Sequence, residues 1–188
     1  MELKKSRLDL DKCGLAELKT KDVRLWTDSD YENLVNAFKT QNMAPQLPIP
    51  FNPPNIKRLL SKSHCRQCGL CCEPNPEFPS EPGVIVFDSE LKLINKLHEF
   101  SWKQLKKKTV IHESDPNARY IPFPCSFHIK NKCLVHEAKP MACRIYPLTN
   151  YRFQGKAYTA VNLRCEYGSD IFKAAMSEFA SNRSAYYP

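Results

Sequence analysis

Apolar positions recur at helical spacing in several stretches of the chain. Tyr31, Leu34, Val35 and Phe38, introduced by the capping pattern Ser29-Asp30-Tyr31-Glu32, predict a helix over 29–41. Leu91, Ile94 and Leu97 predict another, capped by Asp88 or Ser89. Ile171, Phe172, Ala175, Met176 and Phe179 face inward on a last helix that starts at Ser169. A shorter helix is expected over 56–62. The apolar runs at 84–87 and 119–123 read as strands, the first of them buried, and Gln154-Gly155 reads as the turn of a hairpin between 151–153 and 156–163. Helices mixed with short strands give an α+β fold class, a small cysteine-rich domain with flanking helices.

Composition divides this pattern. Prolines at 45, 48, 50, 53 and 54 exclude helix and predict an extended, polyproline-like connector. The expected organisation is an N-terminal helical appendage over 1–44, a linker over 45–55 and a larger domain over 56–188. A second proline-rich stretch, 73–83, reads as a rigid loop. A chain of 188 residues can bury a core without a metal. No apolar run approaches the length of a membrane span, and the first residues, Met1-Glu2-Leu3-Lys4-Lys5-Ser6-Arg7, are charged where a secretory leader would be apolar, so a cytoplasmic location is expected.

The formal charge of +8 raises the question of nucleic acid. No aromatic platform interleaves with Lys57, Arg58 and Lys62 or with Lys106, Lys107 and Lys108, so these runs read as solvated surface and nucleic acid is not expected. The nine cysteines change the picture more. Cys13 stands alone and reads as an inert thiol. The others form two blocks, Cys65, Cys68, Cys71 and Cys72, then Cys125, Cys133, Cys143 and Cys165. A disulfide framework would have to accommodate an odd count and a vicinal pair, and reducing conditions keep thiols available for metal. Two intervening residues let neighbouring sulfurs face one ion or cluster. All eight are therefore candidate metal ligands. Tetrathiolate centres carry roughly two negative charges each, so two of them would offset about half of the basic excess.

Side chains at adjacent positions point apart, so Cys71 and Cys72 are expected to diverge. That predicts two four-thiolate centres, one built on Cys65, Cys68 and Cys71 plus a distal cysteine and the other on Cys72 plus the remaining three. A single centre with leftover buried thiols is the competing arrangement. His128 and His136 read as supports around the sulfurs rather than ligands, and Lys139 and Arg144 as donors beside Cys143.

The motifs Cys65-x-x-Cys68-x-x-Cys71-Cys72, Pro124-Cys125-Ser126-Phe127, Asn131-Lys132-Cys133-Leu134-Val135-His136 and Lys139-Pro140-Met141-Ala142-Cys143-Arg144-Ile145-Tyr146-Pro147 resemble the YkgJ-type cysteine-cluster (CxxCxxCC) family, described as a zinc- or iron-chelating domain. Ser126, His136 and Lys139 depart from the usual residues of that family without touching the cysteines. The resemblance implies a metal-binding domain. Joined to the ferredoxin-like local spacing, it predicts an iron–sulfur protein with one or two 4Fe-4S clusters, serving electron transfer, structure or assembly of a larger enzyme alongside a protein partner. The alternative is a zinc-stabilised interaction module without a redox role. No reaction is assigned.

Overall fold

The amphipathic stretch near the N-terminus forms α1 (Asp28–Thr40), with Tyr31, Leu34, Val35 and Ala37 buried. Its cap lies earlier than expected. The Asp30 amide donates to Thr27 Oγ1 at 3.3 Å and the Thr27 amide to Asp30 Oδ2 at 2.6 Å, so the reciprocal box is closed by Thr27 and not by Ser29. The computed structural model describes residues 15–19, 25–40, 44–74 and 82–181. The expectations for Cys13, for most of the 73–83 loop and for the Phe179 side chain lie outside the described residues.

The proline-rich stretch is a strand, not the expected connector. Leu47 and Ile49 alternate with Pro48 and Pro50, and this period of two buries the aliphatic side chains in β1 (Gln46–Pro50). The strand lies at a sheet edge, where a missing amide donor is tolerated. The next two prolines open α2 (Pro53–Leu60), whose first positions need no amide, and the Asn52 side chain caps it by accepting the Asn55 amide at 3.0 Å.

Farther along come β2 (Gly83–Phe87), α3 (Asp88–His98), α4 (Trp102–Lys107), β3 (Val110–Ile111), β4 (Ala118–Pro122), β5 (His128–Ile129), β6 (Lys132–Cys133) and α5 (Met141–Ile145). The chain ends with the hairpin β7 (Leu148–Phe153) and β8 (Lys156–Val161), turned at Gln154-Gly155 as expected, and with α6 (Glu166–Ser181). These elements form two units, Met1–His64 with Pro147–Pro188, and Cys65–Tyr146. The division differs from the expected boundaries at 45 and 55 because β1 pairs with β8.

In the first unit the antiparallel sheet runs β1-β8-β7, with α6 against β8 and with α1 and α2 against α6. Leu34, Leu47, Ile49, Leu59, Val161 and Ile171 belong to its core. Helix α6 starts ahead of the expected Ser169, because the Cys165 carbonyl already accepts the Gly168 and Ser169 amides at 3.1 and 3.2 Å. Gly168 belongs there: a Cβ would collide with the Asn162 carbonyl.

In the second unit the antiparallel sheet runs β2-β4-β3, and Val86, Leu91, Ile94, Leu105, Ile121 and Phe127 belong to its core. Strand β2 is buried on one face only: Val86 is inside while Ile85 and Phe87 are 40% and 46% exposed. Leu97, expected on the inner face of α3, is half exposed. Neither Asp88 nor Ser89 caps α3. The capping carboxylate is that of Glu90, which accepts the Phe87 amide at 3.0 Å.

Candidate metal centre

Cys71 and Cys72 sit in a single 3-10 turn, Leu70–Cys72, entered through Gly69 at φ +81°. Only glycine fits there without strain, and a Cβ at that position would run into the His128 ring. The turn is tied to the distal block by a backbone bond of 2.7 Å from the Cys125 amide to the Cys72 carbonyl. The distal block is built as a tight hairpin. Lys130 and Asn131 both take positive φ, the conformation of a type I′ turn, and pair His128 with Cys133 across β5 and β6. The Leu134 amide then bonds the Phe127 carbonyl at 2.9 Å, which holds the chain on either side of Cys133 against the Cys125 loop.

Five thiols share one neighbourhood as a result. Cys72 is hydrogen-bonded to both Cys71 and Cys125, and Cys133 and Cys143 lie close enough to feel the charges of Cys71 and Cys125. The vicinal pair therefore converges. The expected divergence fails because the 3-10 turn is neither strand nor regular α-helix, and its side chains need not keep the directions of either.

The electrostatics split the five. The Cys72 thiol stabilises the Cys125 thiolate, as do the amides of Phe127 and His128 and the Lys108 ammonium, and together they lower Cys125 to about 6. Cys71 falls to about 7, chiefly through its bond with Cys72 and also through Lys139. Cys72, hydrogen-bonded to both neighbours, is pushed far up by those two hydrogen bonds and by burial. Burial raises Cys133, and burial together with the facing thiolates pushes Cys143 up to about 12. Cys71 and Cys125 are thus the sulfurs that ionise most readily, while Cys72, Cys133 and Cys143 hold their protons. A soft cation placed among them would remove the mutual repulsion and release those protons.

Lys108 is a contributor that the sequence hides in a basic run. It follows the last turn of α4, its Nζ donates to the Ser126 carbonyl at 2.9 Å, and it stands 5.4 Å from the Phe127 ring centroid. Glu90 is another, since its second oxygen accepts the Met141 amide at the start of α5, the helix that carries Cys143. Neither had a signal in the sequence, because both act on residues remote along the chain. Lys139, expected as a donor to sulfur, acts on the sulfurs by charge. Arg144, expected as a donor to sulfur, gives its Nε to the Lys139 carbonyl at 2.8 Å. Nε2 of His128 and of His136 is buried with no hydrogen-bond partner among the described residues, and burial lowers the basicity of His136.

Cys65 is half-buried and Cys68 exposed at the start of the second unit, and both are free thiols. Cys165 is buried in the first unit, at the start of α6. Among the described residues no three His, Cys, Asp or Glu side chains stand so that they could hold a metal ion as they are placed. The donor chemistry fits a metal all the same: soft sulfurs, backbone amides aimed at Cys125 and Cys133, and the charges of Lys108 and Lys139 nearby.

Such a site, on short antiparallel strands and helices, defines an α+β metal-binding protein. Residues 64–166, more than half of the chain, match the model of the CxxCxxCC family, whose description reads "Putative zinc- or iron-chelating domain", and the protein belongs to that family. No curated protein and no solved structure matches the chain.

Proposed function

We propose that the second unit holds an iron–sulfur cluster through Cys71, Cys72, Cys125, Cys133 and Cys143, with Cys65 and Cys68 on the segment leading in. The reading rests on the hydrogen-bonded thiols Cys71, Cys72 and Cys125, with Cys133 and Cys143 near enough to feel the charges on Cys71 and Cys125. The local Cys-x-x-Cys-x-x-Cys spacing is that of ferredoxin-type ligation, and the amides aimed at Cys125 and Cys133 are the kind of donors that tune such a centre. When bound, the cluster would supply one-electron chemistry, and the chain would supply sulfur ligands, compensating amides and lysine charge. Its role is electron transfer, structure or assembly of a larger enzyme in the cytoplasm, alongside a protein partner. Among the described residues no helix is long and apolar enough to cross a membrane.

Iron, acid-labile sulfide and zinc are to be measured on protein purified without oxygen, together with the visible spectrum. Iron accompanied by sulfide, with absorbance in the iron–sulfide charge-transfer region, is the expected result. Colourless protein with stoichiometric zinc rejects the cluster and establishes the zinc module instead.

A further inference from the structure

Cys125, Cys133 and Cys143 reach the thiol group from separate parts of the second unit. Cys125 and Cys133 pack directly on the core that includes Val86, Leu91 and Phe127. Cys143 arrives differently, on the five-residue helix α5, whose cap residue Pro140 offers no side-chain acceptor. A helix this short does not hold itself in place. The Glu90 carboxylate meets it from 51 residues away: Oε1 accepts the Met141 amide at 2.6 Å while Oε2 accepts the Phe87 amide at 3.0 Å. Phe87 joins β2 to α3, and Leu91, the residue after Glu90, is fully buried. One carboxylate thus references the cysteine helix to the core that carries the other two distal cysteines.

We propose that Glu90 is a positioning residue of the metal centre, clamping the start of α5 to the β2–α3 junction so that Cys143 reaches the other sulfurs. This rests on the metal-centre reading. Met141 is 56% exposed at the start of α5, and a local cap would serve the helix alone. A charged carboxylate using both oxygens on two separate elements does more: it fixes where α5 stands. Both Glu90 oxygens are engaged by backbone amides, so its influence on Cys143 is exerted through geometry.

Cobalt(II) added anaerobically to the apo full-length protein is the probe, because its thiolate charge-transfer absorbance reports the number of sulfur ligands whichever metal the protein takes in the cell. Glu90→Ala is expected to weaken cobalt binding by about 10- to 100-fold, as loss of an outer support does. Its absorbance per ion should fall to that of Cys143→Ser, and the double variant should lose nothing further. Glu90→Gln, with one acceptor oxygen left, should fall in between. Met141→Pro deletes the donor amide at a helix position that tolerates proline, so it should reproduce Glu90→Ala and carry the test if that variant fails to fold. Wild-type affinity and absorbance in Glu90→Ala or Met141→Pro, or losses that add to those of Cys143→Ser, overturn the proposal. Wild-type protein that binds cobalt without thiolate absorbance sinks the metal centre itself, and the clamp with it.

Discussion

In the first unit eleven described apolar residues close a core beside the six-residue strands β7 and β8; in the second, eight close a core beside strands of two to five residues. The second unit also gathers five thiols, and the two that ionise most easily disfavour ionisation of the rest. The first is a structure that apolar burial can sustain by itself. The second has less apolar material and more polar chemistry to accommodate, so metal ligation there is also folding energy.

Removing the metal should separate the two units most sharply. A chelator under reducing conditions is expected to abolish amide-exchange protection across 65–146 while β8 and α6 keep theirs; small zinc domains lose about 10–16 kcal/mol in this way. Loss of protection in both units together would dissolve the contrast. Core truncations come next. Phe127→Ala and Ile171→Ala each remove a fully buried side chain and should cost about 2–5 kcal/mol in thermal or denaturant unfolding. Only Phe127→Ala should also lose metal, because the Phe127 amide points at Cys125 and its ring lies near Lys108.

Gly69→Ala tests the turn that presents the vicinal pair. Positive φ costs an L-residue about 1–2 kcal/mol, and the collision with His128 adds to it, so a chelator competition should show weaker metal binding. His128→Ala in the same chain should recover part of the loss by removing the collision but not the backbone strain. Smaller still is the effect of Lys108→Met. Without that ammonium the Cys125 thiol should titrate higher by up to about one pH unit, read as an alkylation profile of the apo protein displaced toward alkaline pH. Metal affinity in every variant should climb with pH, since Cys72, Cys133 and Cys143 must give up protons that the folded chain holds tightly.

The smallest effect belongs to the first unit. Glu178 accepts from Arg58 and Lys62, and although burial works the other way, those partners hold its carboxyl below the usual value. A depressed folded value means stability that is present above the ordinary carboxylate pKa and lost as pH falls through the folded one. Glu178→Gln should therefore cost about 1 kcal/mol at neutral pH and nothing in strong acid, with metal content unchanged.

The legible parts of this protein were those in which neighbouring residues act on one another. Helical periodicity locates α1, α3 and α6, the Gln154-Gly155 turn locates the last hairpin, and the cysteine motifs alone carry the metal-binding family. Local rules misjudged the proline stretch, because whether 46–50 is a strand depends on β8, more than a hundred residues later. They misjudged the vicinal cysteines too, since the direction of two adjacent side chains follows from the turn that Gly69 permits and His128 packs against. Composition and spacing determined that thiols would gather, since the donor type and its repeat are written in consecutive residues. Which thiols come near one another, which ionise most readily, and how Lys108 and Glu90 serve them were decided by tertiary structure. Those outcomes depend on burial and on through-space distance, and neither is a property of sequence separation.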